Sequence, residues 1–218
     1  MNLDDLTSSA FSKSWSTLQT GADVRSIFPS PEPASSQTRH VALIGNFAPR
    51  KCGIATFTND VFEKLRQFHP GIKVDVYALD DPKSPLAYRD ITDTIAYDDP
   101  EAYARAARRI NESGVDAVWL QHEYGIFGGP EGAMVCDFVD RIAAPLILTP
   151  HTVLAEPSDR QRSILHHLIE RASRIMVMSR HSCSLLIDRY GAAPEMLQVV
   201  PRGAPDRPFG RGAHFKER

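Results

Sequence analysis

The chain alternates between two hydrophobic patterns. Runs rich in apolar residues recur at 40–46, 73–79, 116–121, 145–150, 174–178 and 197–200, with a weaker one at 93–97. Short runs dominated by apolar residues read as strands buried on both faces. Between them lie segments with helical spacing, near 55–68, 100–112, 130–142, 159–172 and 180–190. In the first of these, Ile54, Phe57, Val61, Leu65 and Phe68 share one face, with Thr58, Asn59, Glu63, Lys64 and Gln67 largely opposite, which predicts that the apolar set packs inward. Asp99 and Pro100 make a cap and first-turn pair for the second helix, and Ser158 suits the cap of the fourth. Alternation of this kind predicts an α/β fold, a Rossmann-like three-layer domain with a mostly parallel sheet. Ligands bind such sheets at the carboxyl ends of the strands, so the loops there carry the chemistry.

The rhythm starts near position 40 and stops near 200. Ahead of it, Ser8, Ser9, Ser12, Ser14, Ser16, Ser35 and Ser36, with Pro29, Pro31 and Pro33, predict a poorly ordered leader over 1–38. The domain is expected over 39–203, followed by a hinge and short tail over 204–218. A chain of 218 residues with 42% hydrophobic content can bury one good core. Its formal net charge of -2 offers no global attraction to nucleic acid or anionic membrane, so no nucleic-acid partner is expected. Cys52, Cys136 and Cys183 are odd in number, widely separated and outside any CxxC, which argues against a disulfide framework or a zinc site and fits a reducing cytoplasm. No apolar run reaches the roughly 18 residues of a membrane span, and the N-terminus lacks the order of a signal peptide.

Polar clusters sit at the strand ends. After the first strand, Arg50, Lys51, Cys52 and Gly53 lead into a helix, an arrangement in which helix amides and cations can meet a phosphate. The plain alternative is a strand-to-helix turn with solvated charges, since the spacing is neither GxGxxG nor GxxxxGK[ST]. Asp80 and Asp81 end the second strand without the glycine partner of a dinucleotide site. After the 116–121 strand come His122 and Glu123 and a loop with Gly125, Gly128 and Gly129, which either contact a ligand or pair locally around a tight turn. His122 and Glu123 are adjacent, not one helical turn apart, which is poor spacing for a metal. Thr149, Pro150, His151 and Thr152 end the 145–150 strand, and Pro201, Arg202 and Gly203 close the last one. Cys52 has no base partner in view and does not read as a catalytic thiol.

In order, PRKCGIATFTND, QHEYGIFGG, HTVL, the segment Met176–Ser179 leading to Tyr190 and Gly191, and VPRGAPD resemble bacterial retaining glycosyltransferases of family 4, over about 40–218. The resemblance implies the GT-B fold, two Rossmann-like domains facing across a cleft, the first holding the acceptor and the second the nucleotide-sugar donor. This chain would then be the amino-terminal half of a GT-B fold, stopping just past the hinge and inactive in transfer by itself. It would move a sugar from a nucleotide-sugar donor to a hydroxyl of a sugar or lipid-linked acceptor, with no cofactor and no metal.

The resemblance makes His151 the catalytic candidate, hydrogen-bonded to the transferred sugar or acceptor near the reacting carbon. It implies that Lys51 or Arg50, with the amides around Gly53, faces the donor phosphates or an anionic acceptor group. His122 and Glu123 become acceptor-pocket residues. Arg202 stands where similar proteins often have histidine, which leaves that contact open. A flank normally covered by a further helix would be bare and would promote self-association. Arg160, Arg162, His166, His167, Arg171 and Arg174 form a basic face on helix 159–172 that reads as solvated, with peripheral docking on anionic lipid as the alternative. The competing functional reading is a noncatalytic binding module, a remnant that keeps the fold without transfer.

Overall fold

A computed structural model describes residues 38–201 and Gly203. The elements run β1 (His40–Gly45), α1 (Gly53–Phe68), β2 (Lys73–Asp80), β3 (Asp93–Ala96), α2 (Pro100–Ser113), β4 (Ala117–His122), α3 (Met134–Arg141), β5 (Leu146–Pro150), α4 (Asp159–Arg171), β6 (Ala172–Val177), α5 (Arg180–Tyr190) and β7 (Leu197–Val199). The strands form one sheet in the order β3-β2-β1-β4-β5-β6-β7, every neighbouring pair parallel. This is the predicted Rossmann-like α/β architecture. The order turns back between β1 and β4, so the crevice at the switch point opens where those two strands end.

Two cores flank the sheet. The larger gathers Ala42, Ile44, Val118 and Leu120 with residues of α2, α3 and α4, among them Ile110, Phe138 and Leu165. The smaller comprises Leu43, Phe47, Phe62, Val76 and Ala78, under α1. The period-two alternation of β1 and β4 thus sends successive side chains into different cores.

The predicted caps form. Asp99 accepts from the Glu101 amide with Pro100 in the first turn, and Ser158 and Gln161 build a reciprocal capping box on α4. The α4 stripe Ile164, Leu165, Leu168 and Ile169 is buried as expected.

Two helices differ from the pattern. On α1 the buried residues are Ala55, Thr58 and Phe62, whereas Phe68 is 63% exposed. Thr58 can be buried because its hydroxyl donates to the Ile54 carbonyl at 2.8 Å. The helix is therefore rotated from the face that hydrophobicity alone selects, and Phe57 comes to the rim. The helix expected over 130–142 breaks into a 3-10 turn at Pro130–Gly132 and α3, because Gly129, Glu131 and Gly132 all take positive φ (76°, 55° and 86°).

Three residues of the basic face, His166, His167 and Arg171, lie against carboxylates. His167 lies 2.9 Å and Arg171 3.6 Å from Asp140, and His166 lies 3.3 Å from Glu170. Among the described residues no helix is long and apolar enough to cross a membrane. Arg202, the tail over 204–218 and the leader, apart from Thr38, lie outside the described residues.

Candidate functional site

The loop between β1 and α1 is held at both ends. Arg50 donates its amide to Phe47 O at 3.0 Å, and Cys52 donates its amide to Arg50 O at 3.2 Å, folding the chain back before the helix. Cys52 is the N-cap of α1, its Sγ accepting from the Ala55 amide and from Asn46 Nδ2, each at 3.4 Å. Gly53 opens the helix on the surface, and a Cβ built on it meets nothing within 4 Å. Nothing in the packing of the described residues demands glycine there.

The two basic residues of the loop have different fates. Arg50 turns toward β2, its Nη2 3.1 Å from Asp80 Oδ1, and the Tyr88 hydroxyl donates to the same oxygen at 3.0 Å. Asp80 also accepts from the Leu86 amide at 3.4 Å. The carboxylate that ends β2 is therefore occupied from within, which removes it from the role of a ribose ligand. Lys51 is exposed. On the β2 flank of this loop, Phe47, Pro49, Phe62, Ala87 and Arg89 line a hollow of about 370 Å³.

At the end of β5, His151 continues the ladder by donating its amide to His122 O at 2.9 Å. Its ring stands edge-on to Phe57 of α1, with centroids 4.9 Å apart, and its Nε2 lies 3.0 Å from Gln121 Oε1. The ring is half-buried. The start of α1 and the end of β5 thus meet at the same edge of the sheet, across β4.

Glu123 braces the β4 loop. One carboxylate oxygen accepts from the Tyr124 amide at 3.0 Å and the other from the Thr152 hydroxyl at 2.5 Å, tying the loops after β4 and β5 together.

His122 does not reach this edge. Gln121 and His122 are consecutive in a strand and so point to opposite faces. The His122 ring is 0% exposed, stacked on Phe127 at 5.9 Å and edge-on to Tyr124 at 4.9 Å, and neither ring nitrogen has a partner among the described residues. Burial, with nearby His151 contributing, pushes its pKa down to about 3, so the ring is neutral.

The glycines after β4 are mostly packing features. A Cβ on Gly128 would stand 2.0 Å from Tyr97 O and 2.9 Å from Asp98 Cα, and one on Gly132 would stand 2.5 Å from Tyr124 O. Only Gly125 of the predicted three faces open space. Cys136 is likewise structural: burial lifts its thiol to about 11. The residues that sequence reasoning passed over are Gln121 and Phe57, whose signals were strand alternation and the rotation of α1.

The sequence profile of Glycosyltransferase Family 4 matches residues 52–206. No curated protein sequence matches the chain. Among solved structures, the fold is similar to the lipopolysaccharide outer core galactosyltransferase WaaB in its apo form, with TM-score 0.57 and 12% identity over 78% of this chain and 47% of that one. It is similar to a glycosyltransferase from Rickettsia africae ESF-5, with TM-score 0.51 and 14% identity over 77% of this chain and 44% of that one. A third is an alpha-glucosyltransferase in complex with UDP-glucose and DNA containing an abasic site, with TM-score 0.52 and 13% identity over 74% of this chain and 42% of that one. The chain spans less than half the length of each of these three proteins. At such identities the likeness is one of fold, the Rossmann-like domain of GT-B glycosyltransferases. The third structure also corrects the exclusion of nucleic acid drawn from net charge, because a protein of this fold is bound there to DNA. A net charge of -2 sums a whole surface and does not set the potential of any one patch.

Proposed function

The chain belongs to glycosyltransferase family 4, and we propose that it is the acceptor-binding half of a retaining enzyme that moves a sugar from a nucleotide-sugar donor to an acceptor hydroxyl. In this reading residues 39–203 form the acceptor domain and the donor is held by a second domain. The supporting observation is the contact between Phe57 and His151, which brings the amino end of α1 and the end of β5 to one edge beside the switch point.

The chemistry asked of that edge is orientation and charge stabilisation. In retaining transfer the acceptor oxygen replaces the nucleoside diphosphate on the same face of the sugar, and the departing phosphate takes the acceptor proton. The free amides at the start of α1 point at a ligand placed over Gly53, and their dipoles favour phosphate there. Lys51 adds a cation, while Arg50, bound to Asp80, shapes the loop that presents it. His151 is the residue for hydrogen bonding to a sugar hydroxyl near the reacting carbon, and Glu123 holds the wall behind it.

Nuclear magnetic resonance of the labelled chain tests this reading. Titration with UDP-, GDP- and ADP-sugars and with simple glycosides should move the amides of Lys51, Cys52 and Gly53 and the ring signals of His151. Saturating additions that leave all four residues unmoved would overturn the reading.

A further inference from the structure

The connection from β2 to β3 lacks the element its topology calls for. The parallel strands β1, β2 and β3 follow one another in one direction across the sheet, and right-handed crossovers then put both connections on the face that α1 covers. Residues 81–92 nevertheless form no helix. They run as a strap whose Tyr88 and Ile91 pack against the smaller core, and the hollow of about 370 Å³ lies between this strap and α1, where a second helix would stand.

The walls of the hollow are tied together twice. Arg50 and Tyr88 meet on Asp80 Oδ1, at 3.1 Å and 3.0 Å, which fixes Pro49 on one wall and Ala87 and Arg89 on the other through their chain neighbours. Asp90, with φ of 57°, lies 3.8 Å from Arg66 of α1. Buried Phe47 and Phe62, edge to face with ring centroids 5.5 Å apart, lie beneath. The volume is that of a small-ligand site, roughly 300–1,000 Å³. Its polar groups are unengaged: the half-buried Asn59 amide and the Arg89 guanidinium have no partner among the described residues, and Glu63 meets only Arg66 among them, at 3.9 Å.

We propose that this hollow is a saccharide site, holding an uncharged pyranose unit with its C–H face toward Pro49, Ala87 and the two phenylalanines and its hydroxyls toward Asn59, Glu63, Arg89 and Asp90. A sugar hydroxyl both donates and accepts, and this rim offers both: Asn59 does each, Arg89 donates, and the two carboxylates accept. A phosphate fits poorly. Glu63 and Asp90 flank Arg66, so the rim carries no net positive charge. Pro49 and Lys51 are two residues apart, at most about 7 Å of chain, so a sugar held here lies beside the edge where transfer is proposed. Its identity as a further unit of the acceptor rests on that reading of the edge; the saccharide site does not.

The test is a titration of the full labelled chain with the methyl glycosides of glucose, galactose and mannose, followed by nuclear magnetic resonance at the Asn59 side-chain amide and the Ala87 and Arg89 backbone amides. At least one glycoside should move these signals saturably, and inorganic phosphate at the same concentration should not. Asn59→Ala should weaken the binding about tenfold, and Ala87→Trp, which fills the hollow from an exposed position, should abolish it. Absence of a saturable shift in the wild-type chain at the highest soluble concentrations would overturn the assignment, whether or not a variant folds. So would a larger response to phosphate than to any glycoside, or glycoside shifts that both variants keep. Failure of the functional reading looks different: glycosides then move Asn59 and Ala87, while neither they nor nucleotide-sugars move Lys51, Gly53 or His151.

Discussion

Phe57 and His151, which lie on different elements far apart in the sequence, meet edge to face with ring centroids 4.9 Å apart and planes at 86°. The contact secures a half-buried ring at the sheet edge without embedding it in either core. Replacing His151 by Ala removes the ring contact with Phe57, worth about 0.5–1.5 kcal/mol, and the hydrogen bond to Gln121. The variant should fold and lose no more than about 2 kcal/mol, while ligand-induced shifts at Lys51 and Gly53 weaken. A cooperative unfolding curve beside a ligand titration checks both halves of this expectation.

Glycines 53 and 128 should separate ligand approach from packing. A Cβ at 53 meets nothing within 4 Å, so Gly53→Ala should leave the melting temperature level or slightly higher, alanine being the better helix former. Gly53→Val should reduce phosphate binding more, because a branched side chain stands over the helix amides. At 128 the added carbon would stand 2.0 Å from Tyr97 O, and Gly128→Ala should cost about 3 kcal/mol or more, or prevent folding. Thermal melts of the three variants give the comparison.

How much of this was legible beforehand follows from which physical signal each feature leaves. The strands announced themselves as apolar runs because a parallel sheet is covered on both faces. Asp99 and Ser158 were readable because capping depends on a few adjacent residues. The buried face of α1 was not, since Thr58 satisfies its hydroxyl on Ile54 O and then packs like an apolar residue. The break before α3 depends on Glu131 taking a φ of 55°, which no composition rule signals. At the site, strand ends gathered the quoted motifs, and period two separated Gln121 from His122. Which of Arg50 and Lys51 stays open to ligand was set by Asp80 and Tyr88, distant in sequence and visible only in three dimensions.

Arg50 and Lys51 should accordingly behave as opposites. Arg50→Ala leaves Asp80, 7% exposed, with the Tyr88 hydroxyl and the Leu86 amide but no cation. The loss should be about 1–3 kcal/mol of stability, with a loop that presents Gly53 less firmly. Lys51→Ala should leave stability within about 0.5 kcal/mol and weaken phosphate binding, more so at low ionic strength, where an exposed charge is least screened. Equal effects of the two substitutions on the melting temperature would contradict the division of labour.

His122 should make the fold sensitive to mild acid. In the folded chain its ring is neutral, with a pKa pushed down to about 3, whereas in the unfolded chain it titrates near the ordinary value of 6.5. Below about pH 6.5 the unfolded state therefore binds a proton that the folded state refuses. Stability falls as pH drops from about 6.5 toward 3, with a limiting slope of about 1.4 kcal/mol per pH unit, and is unaffected by this group above that window. His122→Leu deletes two buried nitrogens that have no partner among the described residues and keeps an apolar side chain between Tyr124 and Phe127. It should hold or raise the melting temperature at pH 7 and flatten the pH dependence by close to one proton. Urea unfolding of both proteins from pH 7.5 to 5, above the range where carboxylates dominate, measures the difference. Parallel curves for wild type and His122→Leu would show that the ring is protonated in the native state and that its burial between the two aromatic rings is not what the fold maintains.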